Sequence, residues 1–312
     1  MKKILIVFII LAISSILMFN FFNLDKEKYA NDKLHQKKFN THFRTYTLTK
    51  PESLDFAGET VPLYAQDIWE RYDKEIHKNV YWQSNTLFYL KRANKYFPII
   101  EKILRKNNIP DDFKYLAVIE SGLENVISPA GATGFWQFLE STGKEYGLEI
   151  SNEVDERYHL EKSTQAACEY LKNSYEKFGS WTLSAAAYNM GINGIHNQLE
   201  KQSSKNYYNL FLNEETSRYI FRILAIKEIF ENQKKYGFHI RPIDLYNYPE
   251  NTIITISNAN INLYDLAIEK NINYKILKKL NPWLRDEVLT NSNQEIYKLK
   301  IPTNSKIEIF EN

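Results

Sequence analysis

Residues Ala117–Leu139 read AVIESGLENVISPAGATGFWQFL, and Ile109-Pro110-Asp111-Asp112 stand shortly before them. That preceding group has the makings of a helix start, because proline's missing N–H is not needed in a first turn and aspartates suit the positive end of the helix dipole. The helix is expected to run through Phe113, Leu116 and Ala117 to Glu120, with Gly122 as its stop. Glu120 stands three residues after Ala117 and four after Leu116, so it shares their apolar side. It also lies near the C-terminal end, where the partial negative charge of the dipole disfavours a carboxylate. Burial and dipole both raise its proton affinity, which is what a general acid requires near neutral pH. The same local pattern also fits a capped or partly exposed structural glutamate. Downstream, Asn125–Gly134 contains Pro129, Gly131 and Gly134 and reads as a loop, while Phe135–Thr142 reads as a short helix.

Working outward, Ala65, Ile68, Trp69, Tyr72 and Ile76 recur at three- and four-residue intervals, one helix face turned to a core. Further helical stretches are expected at about Ser84–Asn94, Phe97–Lys106, Ser163–Phe178, Thr182–Gly191 and Glu214–Phe230, with Ser163 or Thr164 as a cap. No strand-like alternation occurs from 63 to 235, so residues 61–240 form a mainly α domain. After Pro242 and Pro249 the texture changes. Asn251–Ser257 reads as a strand, Leu263–Lys270 and Tyr274–Leu280 as helices, and Ile296–Ile301 as a strand, so residues 248–305 form a small β-α-α-β module. A module of that size buries little core and is expected to lean on the main domain. Before residue 61, the polar stretch 23–60 reads as a linker. Lys2 and Lys3 precede an apolar run, 4–22, whose only polar members are Ser14, Ser15 and Asn20, near the length needed to cross a bilayer. Residues 1–22 are therefore an anchor or a signal peptide, and the missing small-x-small cleavage site favours an anchor with the remainder outside.

Composition narrows the function. Net charge is +2, from 40 Lys and Arg against 38 Asp and Glu, which offers no broad field for nucleic acid. Cys168 is the sole cysteine and reads as a small apolar helix residue. The six histidines, at 35, 42, 77, 159, 196 and 239, show no HExxH spacing, and no metal site is expected.

The stretch at 117–139 is followed by Ser141-Thr142-Gly143-Lys144-Glu145-Tyr146-Gly147-Leu148, then by Ala185-Ala186-Ala187-Tyr188-Asn189-Met190-Gly191, then by Glu215-Thr216-Ser217-Arg218-Tyr219. This ordered set resembles the lysozyme-like domain of the lytic transglycosylases, membrane-bound D type, over roughly residues 95–235. The resemblance implies that Glu120 is the single catalytic acid, with Ser121 the serine directly after it. It implies that Gln137 lines the sugar cleft, that Tyr188 and Asn189 stand beside the acid, and that Tyr219 contacts substrate near it. Asn125 occupies the place where many members have proline, and the segment up to Ser128 is about one residue shorter than the common pattern. Without the resemblance, Tyr188 is equally a core residue with a partnered hydroxyl. Asn189 is harder to explain as core, because a buried amide is costly unless paired. Trp136 and Trp181 read as packing residues.

The activity implied is cleavage of peptidoglycan glycan strands on the periplasmic side of the cell envelope, with no metal or organic cofactor. Paired-carboxylate hydrolysis needs a second Asp or Glu, and no motif assigns that task to Glu124, Glu140 or Glu145. The resemblance supplies a route with one carboxylate, acting as acid and then as base. The tail, with Asn281-Pro282-Trp283-Leu284 and Ile301-Pro302, resembles a degenerate LysM module without the usual early glycine-threonine pair. This implies binding of N-acetylglucosamine polymers, with a packing or spacer role as the alternative. A hydrolytic lysozyme and a catalytically silent wall-binding protein are the rival readings of the whole chain.

Overall fold

The computed structural model describes residues 32–38, 40–41 and 45–303. The apolar run at 4–22 lies outside them. Among the described residues no helix is long and apolar enough to cross a membrane. The chain divides into two units, 1–49 and 50–312. In the first, residues 32–38, 40 and 41 are helical.

The second unit begins with a hairpin, β1 (Asp55–Phe56) and β2 (Glu59–Thr60). Phe56 is fully buried and meets the ring of Phe113 edge-on at 5.2 Å. The end of the 23–60 segment therefore belongs to the folded body and is not linker. Helix α1 (Gln66–Tyr81) buries Ile68, Tyr72, Ile76 and Val80 on the expected face, together with Glu75. Glu75 is tolerated there because Arg218 Nε reaches it at 2.6 Å.

Helix α2 (Gln83–Lys106) is continuous where two helices were expected, and Pro98 lies inside it. An internal proline costs about 3 kcal/mol. The buried residues Thr86, Leu90, Ala93, Phe97, Ile100 and Leu104 step by four and three straight through the proline. Burial of that unbroken stripe outweighs the cost, at about 1.5–3 kcal/mol for each large apolar side chain.

A 3-10 turn at Asp111–Phe113 leads into α3 (Lys114–Ser121), which ends where Gly122 turns left-handed, at φ 64°. Asp112 accepts from Lys227 Nζ at 2.8 Å and from the Ala57 N–H at 2.6 Å, so it ties the helix start to the hairpin and to the helix that carries Lys227.

Of the helix expected at 135–142, only residues 140–142 are helical. Residues 134–137 form a turn closed by a bridge from Thr133 to Phe138, and α4 spans Glu140–Glu145. Phe135, Trp136 and Phe138 are all buried. Residues two apart point about 160° away from each other around a helix, so Trp136 and Phe138 could not both face the core from one. Gln137 instead adopts φ 51°.

Helix α5 (Leu160–Phe178) starts before the expected caps, with the ring of His159 accepting the Lys162 N–H at 3.4 Å. Ser163 and Thr164 lie inside it and bond back to the carbonyls of His159 and Leu160. Helix α6 (Trp181–Met190) is capped by Ser180, α7 (Ile192–Lys201) was not anticipated, and α8 (Glu214–Glu231) is capped by Asn213 Oδ1 at 2.8 Å from Thr216 N. Trp136 and Trp181 are packing residues. The first is fully buried and donates to Thr164 at 2.9 Å, and the second stacks on Tyr175 at 4.0 Å.

The tail is the expected small α/β module. Strand β3 (Asn251–Ile256) pairs antiparallel with β6 (Tyr297–Pro302), from Asn251 opposite Pro302 to Ile256 opposite Tyr297. Helices α9 (Leu263–Glu269) and α10 (Tyr274–Leu280) lie between them in sequence, with a second small pair, β4 (Ile261–Asn262) and β5 (Val288–Leu289). Its core of Leu263, Leu277, Trp283, Leu289, Tyr297 and Leu299 also takes in Val154 and Tyr158 of the helical domain.

Candidate active site

Glu120 occupies the last turn of α3, half-buried by surface area and enclosed by protein. Tyr219, fully buried on α8, donates its hydroxyl to Glu120 Oε1. Desolvation raises the proton affinity of Glu120 most. The hydrogen bond from Tyr219 and the charge of Arg222 oppose that rise, Glu215 adds to it, and the balance is a raised pKa. Burial, with the neighbouring carboxylate of Glu120, also holds the Tyr188 and Tyr219 phenols well above their ordinary range, so both remain neutral donors.

The loop beside the acid is fixed carbonyl by carbonyl. Ser121 Oγ, on the helix of the acid, donates to Phe135 O at 2.9 Å and approaches Ala117 O at 3.1 Å. Tyr188 OH donates to Trp136 O at 2.8 Å, with its ring against Phe138 and Tyr170. Gln137 Nε2 donates to Val126 O at 3.0 Å and to Gly134 O at 2.8 Å. Asn189 accepts from Thr216 Oγ1 at 2.8 Å and donates to Glu215 Oε1 at 3.2 Å, which ties α6 to the first turn of α8.

The residues singled out in the sequence thus occupy one neighbourhood, but their side chains point differently. Tyr219 meets the acid directly and Tyr188 lies within its electrostatic reach. Ser121 faces inward and Asn189 faces α8. Of the other carboxylates weighed, Glu124 pairs with Arg92 at 2.5 Å, Glu140 pairs with Lys144 at 2.6 Å, and Glu145 is exposed.

Two residues were missed. Arg222 Nη2 donates to Ile119 O at 2.7 Å and so places a cation at the carbonyl end of α3. Glu215 is the carboxylate that acts on Glu120. Glu215, Tyr219 and Arg222 fall at i, i+4 and i+7 of one helix, a single stripe on α8, and that spacing could have found both. Arg222 and Glu215 also line a groove of about 470 Å³ together with Glu75, Asn79, Trp82 and Tyr89. Glu120 itself does not line this groove. Among the described residues no His, Cys, Asp and Glu side chains are grouped to hold a metal ion.

Tyr219→Phe removes the donor that favours the ionised form, so the Glu120 carboxyl is expected to titrate at higher pH than in the unaltered protein. Carbon-13 NMR of labelled glutamate reads this shift. A Glu120 midpoint that stays in place or falls contradicts the geometry.

Residues 97–211 match the family described as the Transglycosylase SLT domain, and residues 252–305 match the Soluble lytic transglycosylase C-terminal LysM-like domain. The chain is 32% identical over 183 residues to Membrane-bound lytic murein transglycosylase D of Escherichia coli K12, covering 57% of this chain and 40% of that protein. It is 29% identical over 122 residues to a putative tributyltin chloride resistance protein of an Alteromonas species, covering 38% of this chain and 58% of that one. A solved structure similar to it is the 70 kDa soluble lytic transglycosylase of Escherichia coli, at TM-score 0.40 and 19% identity, covering 57% of this chain and 33% of that one. The chain thus spans less than half the length of the curated transglycosylase it matches.

Proposed function

The chain belongs to the SLT-domain lytic-transglycosylase family and carries a LysM-like C-terminal module, and from that premise we propose that it cleaves the β-1,4 bond between N-acetylmuramic acid and N-acetylglucosamine in peptidoglycan without adding water. Glu120, protonated, gives its proton to the bridging oxygen as the bond from that oxygen to muramoyl C1 breaks. The N-acetyl group steadies the positive charge that develops at C1. The Glu120 carboxylate then takes the proton from the muramoyl C6 hydroxyl, whose oxygen closes onto C1 to leave a 1,6-anhydro end. One side chain gives a proton and then accepts one, so its affinity must lie between the two demands.

The observation that carries this reading is a desolvated glutamic acid, hydrogen-bonded by a fully buried tyrosine, at the end of a helix. Ser121 and Tyr188 are positioning residues in this scheme, because they hold the two carbonyls immediately before Gln137. Gln137 would face the glycan, and Asn189 would fix α8 and hence Tyr219. Such positioning contributes only where it is realised in the transition state. The proposed place of work is the periplasmic side of the envelope, with residues 4–22 as the anchor where they are retained.

Glu215 is the observation that favours a second reading, hydrolysis with a carboxylate pair. Mass spectrometry of products from purified peptidoglycan separates the two. Cyclisation leaves muramic acid ends one water lighter than hydrolysis does, and full-mass reducing ends throughout would sink the transglycosylase reading.

A further inference from the structure

The segment 149–161, which runs from the end of the α4 turn to the start of α5, is held by the C-terminal module along its whole length. Val154 bridges Leu284, the Asp155 N–H donates to Trp283 O at 2.8 Å, and the Arg285 N–H donates to Glu153 O at 2.7 Å. The Glu153 carboxylate accepts both the N–H of Thr290, at 2.7 Å, and its hydroxyl, at 2.5 Å. Tyr297 OH reaches Glu149 at 3.0 Å, Lys300 pairs with Glu161, and the Arg285 guanidinium lies 4.1 Å from the centre of the Tyr158 ring. Trp283, the aromatic residue a sugar-binding tail would most readily offer, is 3% exposed between Tyr297 and His159 and cannot stack on a glycan.

The same segment grips the loop beside the acid. Arg157 makes a two-point contact with Asp155, Nε to Oδ1 at 2.9 Å and Nη2 to Oδ2 at 2.7 Å. Its remaining nitrogen, Nη1, donates to Gly131 O at 3.2 Å and to Phe138 O at 3.3 Å, the two ends of the loop that carries Gln137. Asp155, which orients Arg157 through its side chain, is held by Trp283 through its backbone. Only a guanidinium has the fork of donors that serves all these acceptors at once; a lysine ammonium is a single point.

We propose that the C-terminal module is a brace for the active-site loop, acting through Asp155 and Arg157 to fix Gly131–Phe138, and that Arg157 is a positioning residue for glycan cleavage. This rests on the transglycosylase reading for its effect on rate, but not for its effect on the loop.

Two full-length variants test it. Arg157→Lys cuts the last link while keeping the charge, and Glu153→Ala loosens the module at Thr290. In both, the hydrogen-bonded amides of Thr133 and Gly134 are expected to exchange with deuterium faster. In both, kcat on short uncrosslinked glycan strands should fall about 10-fold with KM moved by less than roughly 2-fold, since misplaced cleft groups cost rate. Glu153→Ala that speeds exchange at Thr290 but leaves Thr133, Gly134 and kcat unchanged overturns the brace. So does a defect confined to KM on long strands, which is the signature of a glycan hook. Should the unaltered protein cleave nothing, the functional reading falls while the exchange of Thr133 and Gly134 still decides the brace.

Discussion

Glu120→Gln is expected to abolish glycan cleavage while leaving the protein folded and, at neutral pH, slightly more stable. Removing a general acid typically costs about 10²–10⁴-fold in rate, and a residue that must also serve as the base belongs at the upper end. The stability effect follows from the direction of the pKa shift. Because burial raises the proton affinity of Glu120 above the ordinary value of 4.5, the folded state binds more protons than the unfolded state at pH just above that value. Stability is then lost as pH rises through the folded pKa, the reverse of an ordinary ion-paired carboxylate. Glutamine escapes that loss and still accepts the hydrogen bond from Tyr219. Its advantage should appear at pH 7 as a gain of about 2–4 °C in melting temperature per kcal/mol, and it should shrink toward nothing near pH 4. Melting curves at the two pH values, beside a digestion assay, check both halves. Cleavage within about tenfold of the unaltered protein would move the chemistry elsewhere, with Glu215 the next carboxylate to replace. A variant less stable at pH 7 than at pH 4, relative to the unaltered chain, would mean that Glu120 is not the desolvated group described.

Much of this neighbourhood was legible because its cues are local. The three- and four-residue spacing from Leu116 and Ala117 to Glu120, the stop at Gly122 and the amphipathic stripe of α1 each need only a helix turn or two to read. The tail was legible for the same reason, since its β-branched runs and short helices are contiguous. What escaped depended on distant partners. The link from Arg222 to Ile119 O spans 103 residues, and the burial that carries α2 through Pro98 comes from other elements. The turn at Gly134–Gln137 was mistaken for the start of a helix because aromatic residues suit a short apolar helix until Phe135, Trp136 and Phe138 must all face inward. Ser121 shows the limit of reading roles from a motif. Its place beside the acid was evident, yet its hydroxyl turns to Phe135 O, a direction set by packing between α3 and the loop. The fate of Trp283 likewise lay in the docking of the module and not in the residues around it.

Gly134→Ala is expected to be the most damaging single-methyl change in the loop, and Gly131→Ala is its natural control. Both glycines have left-handed backbones, φ 82° and φ 80°, so alanine at either costs about 1–2 kcal/mol of backbone strain. They differ in what a new Cβ would meet. At Gly131 nothing lies within 4 Å, whereas at Gly134 the Cβ would fall 2.0 Å from Arg157 O and 2.8 Å from Arg157 C. Those are backbone atoms of the segment that grips the loop, so no side chain can swing aside, and overpacking adds about 1–3 kcal/mol. The expected loss is about 2–5 kcal/mol for Gly134→Ala against about 1–2 for Gly131→Ala, a difference readable in urea denaturation. Function should separate the pair more widely still. Gly134 donates its N–H to Val126 O at 2.9 Å and accepts from Gln137 Nε2, so displacing it carries Gln137 with it. If the two variants prove equally stable, the close approach of Arg157 is not what demands glycine at 134. If Gly134→Ala is destabilised but cleaves glycan at the normal rate, the position of Gln137 does not matter to the chemistry, and the loop serves the fold alone.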